Sequence, residues 1–436
     1  MAFLFHAVHD TTEFASDVEA FLESRQTRTS SNMFPGRIGL WSVQFVVGYE
    51  AAASVLCQHG EVSRRRGLGS LPGMSLYGED AIHISDGVKA QVAREQIRPA
   101  LSSPANVSAA SRVLKASFET TFADVENDAW SRPFEAYEFS KVLAVDLLVA
   151  VIFGHEPGSS CARNETSQRV EKESTLFWRA VTSSAIASDR IPAAFRFVKT
   201  SYDLGIEAKQ SLFSIFDDQP AAPCIARDLM HLSNEDRRQH LLLFTSSLAH
   251  KSFSSMITSF LMVVGDAPDI ANRLRDEIPC DCDLRDVESF QFLNACLKEV
   301  ERLYPPVIGL YLVVDSDRMR VGDTDLLRDT KIWCSILSAN RDERVYGKNA
   351  KEFQPERWLS SGRIPPSLTY GTGPRDCLGQ TLVRTLLLQT CAFWISRFEW
   401  RIQSSSRKYR WLPVARPRNG LSLELKRRNE EFFDAM

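Results

Sequence analysis

A cysteine late in the chain has neighbours that would suit it to binding a metal. The stretch reads Tyr370-Gly371-Thr372-Gly373-Pro374-Arg375-Asp376-Cys377-Leu378-Gly379 and leads into a predicted helix from Leu378 to Phe398. The two glycines before Cys377, Gly371 and Gly373, permit a tight turn and close backbone approach to a flat ligand. Arg375 can donate hydrogen bonds to an anionic group beside such a ligand. Cys377 falls at the predicted helix start, where backbone N–H groups favour a thiolate.

The residue types around Cys377 limit which metal it would bind. A thiolate is a metal ligand, but no cysteine or histidine lies close in sequence to complete a zinc site. Haem iron, by contrast, can take a single axial cysteine thiolate. The alternative is that Cys377 is a small buried hydrophobic residue, as most free cysteines are.

The same stretch resembles the haem loop of the cytochrome P450 family, F-G-x-G-x-R-x-C-x-G. Tyr370 stands at the leading aromatic position, and every other fixed position matches. The resemblance implies haem b (iron protoporphyrin IX) as cofactor, with Cys377 as the axial ligand of the iron. It also implies that Tyr370, Gly371, Arg375 and Gly379 contact the haem.

A second motif lies upstream, in a predicted helix from Phe290 to Leu303. Glu299 and Arg302 are three residues apart, so they share one helix face and can pair. Alone, such a pair is usually a solvated ion pair, but here it precedes Tyr304-Pro305-Pro306. That setting resembles the E-x-x-R helix of the family, which implies a buried structural network with Arg357.

The family holds a haem propionate through a W-x-x-x-R helix. Lys89 to Ile97 is predicted to be helical and to end at Pro99. Arg94 matches the arginine, whereas Ala90 stands at the aromatic position. The resemblance implies that Arg94 contacts the haem; the alternative is a solvated surface arginine. Leu312 takes the approximate place of a further propionate donor, so haem anchoring would depend on Arg375 and Arg94.

The longest predicted helix begins near Ser233, a plausible N-cap, and its apolar periodicity ends at Val264. About 31 residues at about 1.5 Å per residue would span roughly 46 Å. This helix resembles the central helix of the family. The resemblance implies that haem lies between this helix and the helix that follows Cys377.

The central helix also departs from the family pattern, A-G-x-D/E-T, whose acid and alcohol deliver protons during oxygen activation. The corresponding residues here are Leu248-Ala249-His250-Lys251-Ser252. Ser252 keeps a hydroxyl, while Lys251 reverses the charge of the acid. In one interpretation Ser252 suffices and Lys251 points to solvent. In the other, oxygen activation is impaired, and Lys251, with a pKa lowered by burial, or His250 takes part in acid–base chemistry.

Composition and charge exclude several functional classes. Hydrophobic residues make up 44% and charged residues 25% of 436 residues, which is ordinary for a globular protein with a large core. A net charge of −3 implies no general attraction to nucleic acid or an anionic membrane. Nine cysteines without a framework spacing suit a reducing compartment. Met1 to His9 is too short to span a bilayer, so we expect a soluble, cytoplasmic protein without a membrane anchor.

These features predict one mainly α-helical domain over residues 1–436 with small β-sheets and the cytochrome P450 fold. A β-containing lobe is expected within about residues 35–60 and 305–340, where Leu40 to Val47, Tyr311 to Val314 and Lys331 to Leu337 have strand patterns. Phe177, Trp178, Phe195 and Phe197 would form the roof of a pocket or pack in the core.

The resemblance implies an oxidoreductase of the soluble, bacterial type. Its expected reaction is that of a monooxygenase, inserting one oxygen atom from O2 into a small apolar organic substrate in specialised (secondary) metabolism. Electrons would come from NAD(P)H through a ferredoxin or reductase. Because Lys251 replaces the acid, use of peroxide, or a rearrangement, cyclisation or dehydration, remains an alternative. A haem protein that binds or senses a ligand without turnover is a further alternative.

Overall fold

The computed structural model describes residues 10–428, apart from 30, 40, 59, 72, 79, 124, 126–128, 155–164, 183–199, 218–223, 361, 363 and 405. Phe195 and Phe197 therefore lie outside the described residues, as does Met1 to His9. The described part is mainly helical with small β-sheets, which confirms the predicted fold class. No helix among the described residues is long and apolar enough to cross a membrane.

Along the chain, the main helices of the described part precede and follow the strands at 309–335. They are α1 Val18–Thr29, α2 Tyr49–Cys57, α3 Gly87–Leu101, α4 Pro104–Thr121, α5 Ala136–Phe153, α6 Glu165–Thr182, α7 Ser201–Phe216, α8 Ile225–Asp228, α9 Asn234–Thr245, α10 Ser247–Gly265, α11 Pro268–Glu277, α12 Gln291–Leu303, α13 Ile336–Ala339, α14 Glu343–Tyr346 and α15 Gln380–Arg397.

The strands of the described residues form four small sheets. They are β1 Met33–Ile38, β2 Trp41–Val46, β3 Val62–Ser63, β4 Phe134–Glu135, β5 Gly309–Val314, β6 Arg318–Val321, β7 Thr324–Leu327, β8 Lys331–Ser335, β9 Phe398–Ile402, β10 Tyr409–Arg410, β11 Arg416–Pro417 and β12 Ser422–Arg427. The largest sheet has the order β1-β2-β8-β5-β3, and the others are β4-β12-β9, β6-β7 and β10-β11.

The five-stranded sheet joins the two chain segments, about 35–60 and 305–340, that were expected to share a β-containing lobe. β2 pairs in parallel with β8, with Phe45 opposite Trp333, and β5 pairs antiparallel with β8. β1 was missed by the sequence analysis because Pro35 and Gly36 interrupt its apolar pattern. The strand predicted to run to Leu337 ends at Ser335, where the hydroxyl accepts a hydrogen bond from Ser338 N–H and caps α13.

The central helix is two helices rather than the single predicted one. Ser246 has extended backbone angles (φ −61°, ψ 152°), so α9 ends at Thr245 and α10 begins at Ser247. Ser246 is fully buried, and its hydroxyl donates to the Leu243 carbonyl at 2.7 Å. A serine can satisfy backbone groups locally in this way, and no glycine or proline marks the break.

The prediction that α3 ends at Pro99 is wrong, because the helix continues to Leu101. Pro99 lies in the last turn, where the loss of one backbone donor is tolerated more readily than in the middle of a helix. Ser102 N–H then donates to the Pro99 carbonyl at 3.2 Å and closes the helix. Arg94 and Ala90 are buried on the inner side of α3.

Candidate functional site

One large cavity runs between α10 and the loop that carries Cys377. Its volume is about 1730 Å³, and its wall includes Ala249 and Ser252 from α10 as well as Cys377 and Leu382 from the opposite side. Small-molecule sites usually measure roughly 300–1,000 Å³. The cavity therefore has room for a large flat cofactor together with an organic molecule.

The loop before α15 is held in a turn that needs its glycines. Gly371 and Gly373 have positive φ angles of 74° and 73°, a region that favours glycine. A Cβ at Gly373 would also lie 3.1 Å from the Cα of Cys57. The N–H of Cys377 donates to the Tyr370 carbonyl at 2.7 Å and closes the turn.

Cys377 lies just before α15 rather than at its predicted start. The helix begins at Gln380 with Gly379 as its N-cap, so the predicted start at Leu378 is wrong by two residues. The surface of Cys377 is accessible because the residue faces the cavity. Burial among protein atoms raises the pKa of the Cys377 thiol, while a hydrogen bond from Gly379 N–H lowers it. Coordination of a metal would provide the strong additional stabilisation of the thiolate.

The two arginines predicted to contact the cofactor both line the cavity. Arg375 donates through Nη1 and Nη2 to the carbonyls of Ser85 and Ile82 at 2.7 and 2.8 Å, and its buried Nε has no partner within the described part. Arg94 donates to both the carbonyl and the carboxylate of Asp376, at 2.7 and 2.5 Å. Part of each guanidinium is therefore committed to fixing the loop.

A third arginine, Arg64, was missed by the sequence analysis. It lines the same cavity and donates to the Arg375 carbonyl at 3.1 Å. Burial and the charges of Arg375 and Arg94 lower the pKa of Arg64 to about 9, so an anionic group bound here would be stabilising. The run Arg64-Arg65-Arg66 after β3 was a visible signal, but sequence cannot tell which of the three points inward.

Nearby polar atoms fit a ligand that carries carboxylates. Both ring nitrogens of His83 and the hydroxyl of Ser85 are buried without partners among the described residues. His83 lines the cavity, and burial together with Arg64 and Arg375 lowers its pKa to about 3. Buried polar groups normally have partners. The thiol of Cys377, the three arginines and the unpartnered ring of His83 all line the cavity, and this set fits a haem with two propionates.

The opposite wall comes from α10, which contributes the side chain of Ser252. Ser254, Thr258 and Ser259 each donate to the helix carbonyl four residues earlier at 2.6–2.7 Å. The hydroxyl of Ser252 has no such bond and no other partner within the described ranges, and it lines the cavity. It is therefore free to bond a ligand.

Lys251 and His250 do not line the cavity in the described part of the chain. The Nζ of Lys251 lies 5.5 Å from the ring centroid of Trp178, and Trp178 is itself a residue of the cavity wall. Burial, together with the charges of Lys141, Arg416 and Arg179, lowers the pKa of Lys251 to about 8. Lys251 is therefore half-buried against an aromatic ring and does not point freely to solvent, and burial lowers its pKa as the second interpretation expects.

His250, the neighbour of Lys251 on α10, is buried, and its Nδ1 has no hydrogen-bond partner in the described structure. Burial and the nearby charges of Lys251 and Lys141 lower its pKa to about 3, so the imidazole is neutral near pH 7. Trp178 lines the cavity, as expected for a roof residue, whereas Phe177 is fully buried in the core.

The charge network predicted for Glu299, Arg302 and Arg357 is present as close contacts. Glu299 accepts from Arg302 Nε and Nη2 at 2.9 and 2.7 Å, and from Arg357 Nε at 2.8 Å. Trp358 Nε1 adds a bond at 2.8 Å. Arg302 also donates to the carbonyls of Asn340 and Ala350, at 2.8 and 2.5 Å. The network ties α12 to the segment that leads into the Cys377 loop.

Comparison with known proteins gives one consistent family. The cytochrome P450 family model matches residues 226–424. A cytokinin hydroxylase of Arabidopsis thaliana is 29% identical over 192 residues, which is 41% of this chain and 36% of the relative. The alkane hydroxylase MAH1 of the same plant is 31% identical over 156 residues, covering 34% of this chain and 31% of the relative. The matched stretch thus spans about a third of the length of these curated relatives.

Similarity of fold extends over nearly the whole chain. The retinoic acid-bound cyanobacterial CYP120A1 superposes with a TM-score of 0.77 and covers 96% of both chains at 18% identity. This likeness confirms the predicted fold. The stretch that matches the family model, residues 226–424, contains Ser252, the Glu299 network and Cys377. The chain therefore has the cytochrome P450 fold, and its residues 226–424 match the cytochrome P450 family.

Proposed function

We propose that this protein is a haem-thiolate monooxygenase that inserts one oxygen atom from O2 into a small apolar organic substrate. One observation carries the proposal: the sulfur of Cys377 and the unpartnered hydroxyl of Ser252 line the same cavity from opposite walls. The match to the cytochrome P450 family implies haem iron, and a thiolate ligand to haem iron favours cleavage of the O–O bond. The remaining chemistry depends on what the protein side chains do.

We propose that Cys377 binds the iron and that Arg64, Arg94 and Arg375 bind the two propionates. What supports these roles is that the arginines lie on the same cavity wall as the cysteine, with one buried Nε unpartnered. Tyr370, Gly371 and Gly379 would contact the haem through the turn that carries Cys377. The backbone carbonyls that already hold Arg375 would fix its direction and reduce the entropy lost on binding.

The substrate would bind in the part of the cavity that α5, α6 and α10 surround. The wall there is almost entirely aliphatic, aromatic or thioether, and includes Leu71, Met74, Ile82, Leu147, Val151, Ile152, Val181, Leu243, Phe244, Phe253 and Met256. Such a wall excludes water and favours apolar molecules. Two relatives are named as hydroxylases, one of them of alkanes, which supports hydroxylation of an apolar substrate.

Ser252 would hold and pass a proton at its Oγ during the reaction. Its hydroxyl can donate and accept, and it has no competing bond to the helix backbone. We propose that electrons come from NAD(P)H through a ferredoxin or reductase, and that the reaction belongs to specialised metabolism in the cytoplasm. The cysteines of the described residues form no disulfide, which suits a reducing compartment.

A second candidate is a P450 that uses peroxide, or that catalyses a rearrangement, cyclisation or dehydration. The observation that favours it is the position of Lys251, which replaces the acid of the family pattern and packs on Trp178 outside the cavity. His250 also lies outside the cavity. Of the residues from Ala249 to Ser252, Ala249 and Ser252 line the cavity, and Ser252 is the polar one.

Product formation can separate the two candidates. Purified protein loaded with haem is supplied with an apolar substrate that shifts its Soret band, and with either an electron donor plus O2 or peroxide alone. The proposal expects coupled turnover with the donor and a loss of about 10²-fold in Ser252→Ala, within the range of general acid–base contributions. Ser254→Ala is the control, since its hydroxyl bonds the helix carbonyl of His250. Turnover only with peroxide, unaffected by Ser252→Ala, would favour the second candidate.

A further inference from the structure

A buried carboxylate lies beside the Cys377 loop and takes no part in the Glu299 network. Glu301 is 4% exposed and projects from α12 toward the loop. The Tyr370 hydroxyl donates to its Oε1 at 3.0 Å, and Arg384 of α15 approaches its Oε2 at 3.4 Å. Arg384 also approaches the side-chain oxygen of Asn294 at 3.4 Å. An acid, a phenol and a guanidinium therefore meet between α12, the loop and α15.

This cluster connects directly to the residue that we propose as the iron ligand. The carbonyl of Tyr370 accepts the hydrogen bond from Cys377 N–H at 2.7 Å. On the other side, the Thr369 hydroxyl donates to the Glu301 carbonyl at 2.5 Å. Tyr370 thus joins Glu301 to Cys377, because its hydroxyl bonds Glu301 and its backbone carbonyl bonds Cys377.

A charge in this position acts through a poorly screened environment. Glu301 is nearly inaccessible and Arg384 is about one-fifth exposed, at 19%. At a given distance, the interaction between two charges is stronger in a protein interior than in water, because the dielectric constant is lower. Charges, hydrogen bonds and burial around a metal ligand are the means by which a protein adjusts a haem potential.

We propose that Glu301 and Arg384, joined to the loop by the Tyr370 hydroxyl, are positioning residues that set the reduction potential of the iron bound at Cys377. The inference rests on the proposed haem-thiolate function and goes beyond it, because it assigns a role to a side-chain cluster that the reaction itself does not use. Glu301 and Arg384 do not line the cavity, whereas Tyr370 does.

The charges predict the signs of the effects. The carboxylate of Glu301 stabilises the oxidised, more positive iron, so Glu301→Gln raises the potential. The guanidinium of Arg384 opposes the carboxylate, so Arg384→Met lowers the potential. Tyr370→Phe keeps the ring but removes one donor to the carboxylate, so it also lowers the potential, by less than Arg384→Met.

The test is spectroelectrochemical titration of the full-length, haem-loaded protein and these three variants. Glu119→Gln on α4 is the matched control, because Glu119 is 61% exposed and pairs only with the equally exposed Lys115, so solvent screens its charge. Tyr370→Phe provides a conservative variant should either charge change prevent folding. Thermal unfolding is measured in parallel, since a merely structural role would lower stability in every variant and leave the potential unmoved.

The inference requires opposite shifts in Glu301→Gln and Arg384→Met, with the control unchanged. Shifts of the same sign, or potentials equal to that of the wild type, would overturn it while leaving the proposed function intact. A wild-type protein without the spectrum of thiolate-bound haem would overturn both.

Discussion

Glu299→Gln is the substitution whose effect the structure defines most closely. Glu299 is fully buried, and its two oxygens accept five hydrogen bonds in total. Oε1 accepts from Arg302 Nη2, Arg357 Nε and Gln354 N–H, and Oε2 accepts from Arg302 Nε and Trp358 Nε1. A glutamine of the same shape replaces one of these oxygens with an NH2 donor. Whichever oxygen is replaced, at least two donors then face a donor.

The loss of charge adds to this mismatch. The side chains of Arg302 and Arg357 are 0% and 7% exposed, so both guanidiniums lose their carboxylate in a place that water does not reach. Breaking a buried ion pair by removing one partner costs about 3–5 kcal/mol. That is a large part of the about 5–15 kcal/mol by which proteins of ordinary stability resist unfolding.

Thermal unfolding of the haem-loaded protein measures this cost. An unfolding entropy of about 2.1 cal/mol/K per residue converts about 3–5 kcal/mol into a fall in Tm of roughly 3–5 °C for a chain of 436 residues. The control is Glu356→Gln, on the neighbouring turn, whose exposed pair with Arg273 should contribute at most about 1 kcal/mol. A Glu299→Gln protein as stable as the Glu356→Gln protein would refute the reasoning.

Two further predictions concern the cavity wall and α10. Arg64→Leu should release haem several-fold faster than the wild type, because the proposed propionate site loses one cation. Haem release is measured by transfer to an excess of apo-globin. The control is Arg65→Leu, at an exposed neighbouring residue, and equal rates of release from the two variants would contradict the role of Arg64. Lys251→Met should be more stable than the wild type at pH 7, because the folded protein lowers the pKa of Lys251 to about 8 and its charged form is disfavoured there. This advantage should fade as pH rises from about 8 to about 10.4, where the lysine becomes neutral in the unfolded chain as well. The exposed Lys115→Met should show no such trend in urea unfolding across this range, and a Lys251→Met advantage that is constant with pH would contradict the reasoning.

Local chemistry made part of the site predictable. The glycines around Cys377 follow from the turn that they form, with positive φ at Gly371 and Gly373. The network of Glu299 with Arg302 follows from helical spacing, since the two residues pair within one turn. The mainly helical class follows from apolar periodicity over long segments. In each case the partners are close in sequence or form a repeating pattern.

The features that sequence analysis missed depend on distant contacts. Arg64 donates to the carbonyl of Arg375, which lies 311 residues away. Glu301 meets the Tyr370 hydroxyl across 69 residues, and nothing in the sequence distinguishes it from a solvated helix residue. The break at Ser246 is likewise set by burial of its side chain rather than by a glycine or proline.

The bond between the Cys377 sulfur and haem iron is the claim on which the account depends. The most direct measurement is the absorption spectrum of the reduced, carbon monoxide-treated protein expressed with ample haem precursor. The account predicts the red-shifted Soret band of thiolate ligation and its loss in Cys377→Ala. The band should be retained in Cys57→Ala, which removes a different thiol that lies beside Gly373 of the same loop. A wild-type band typical of histidine ligation, or a band that survives in Cys377→Ala, would contradict it.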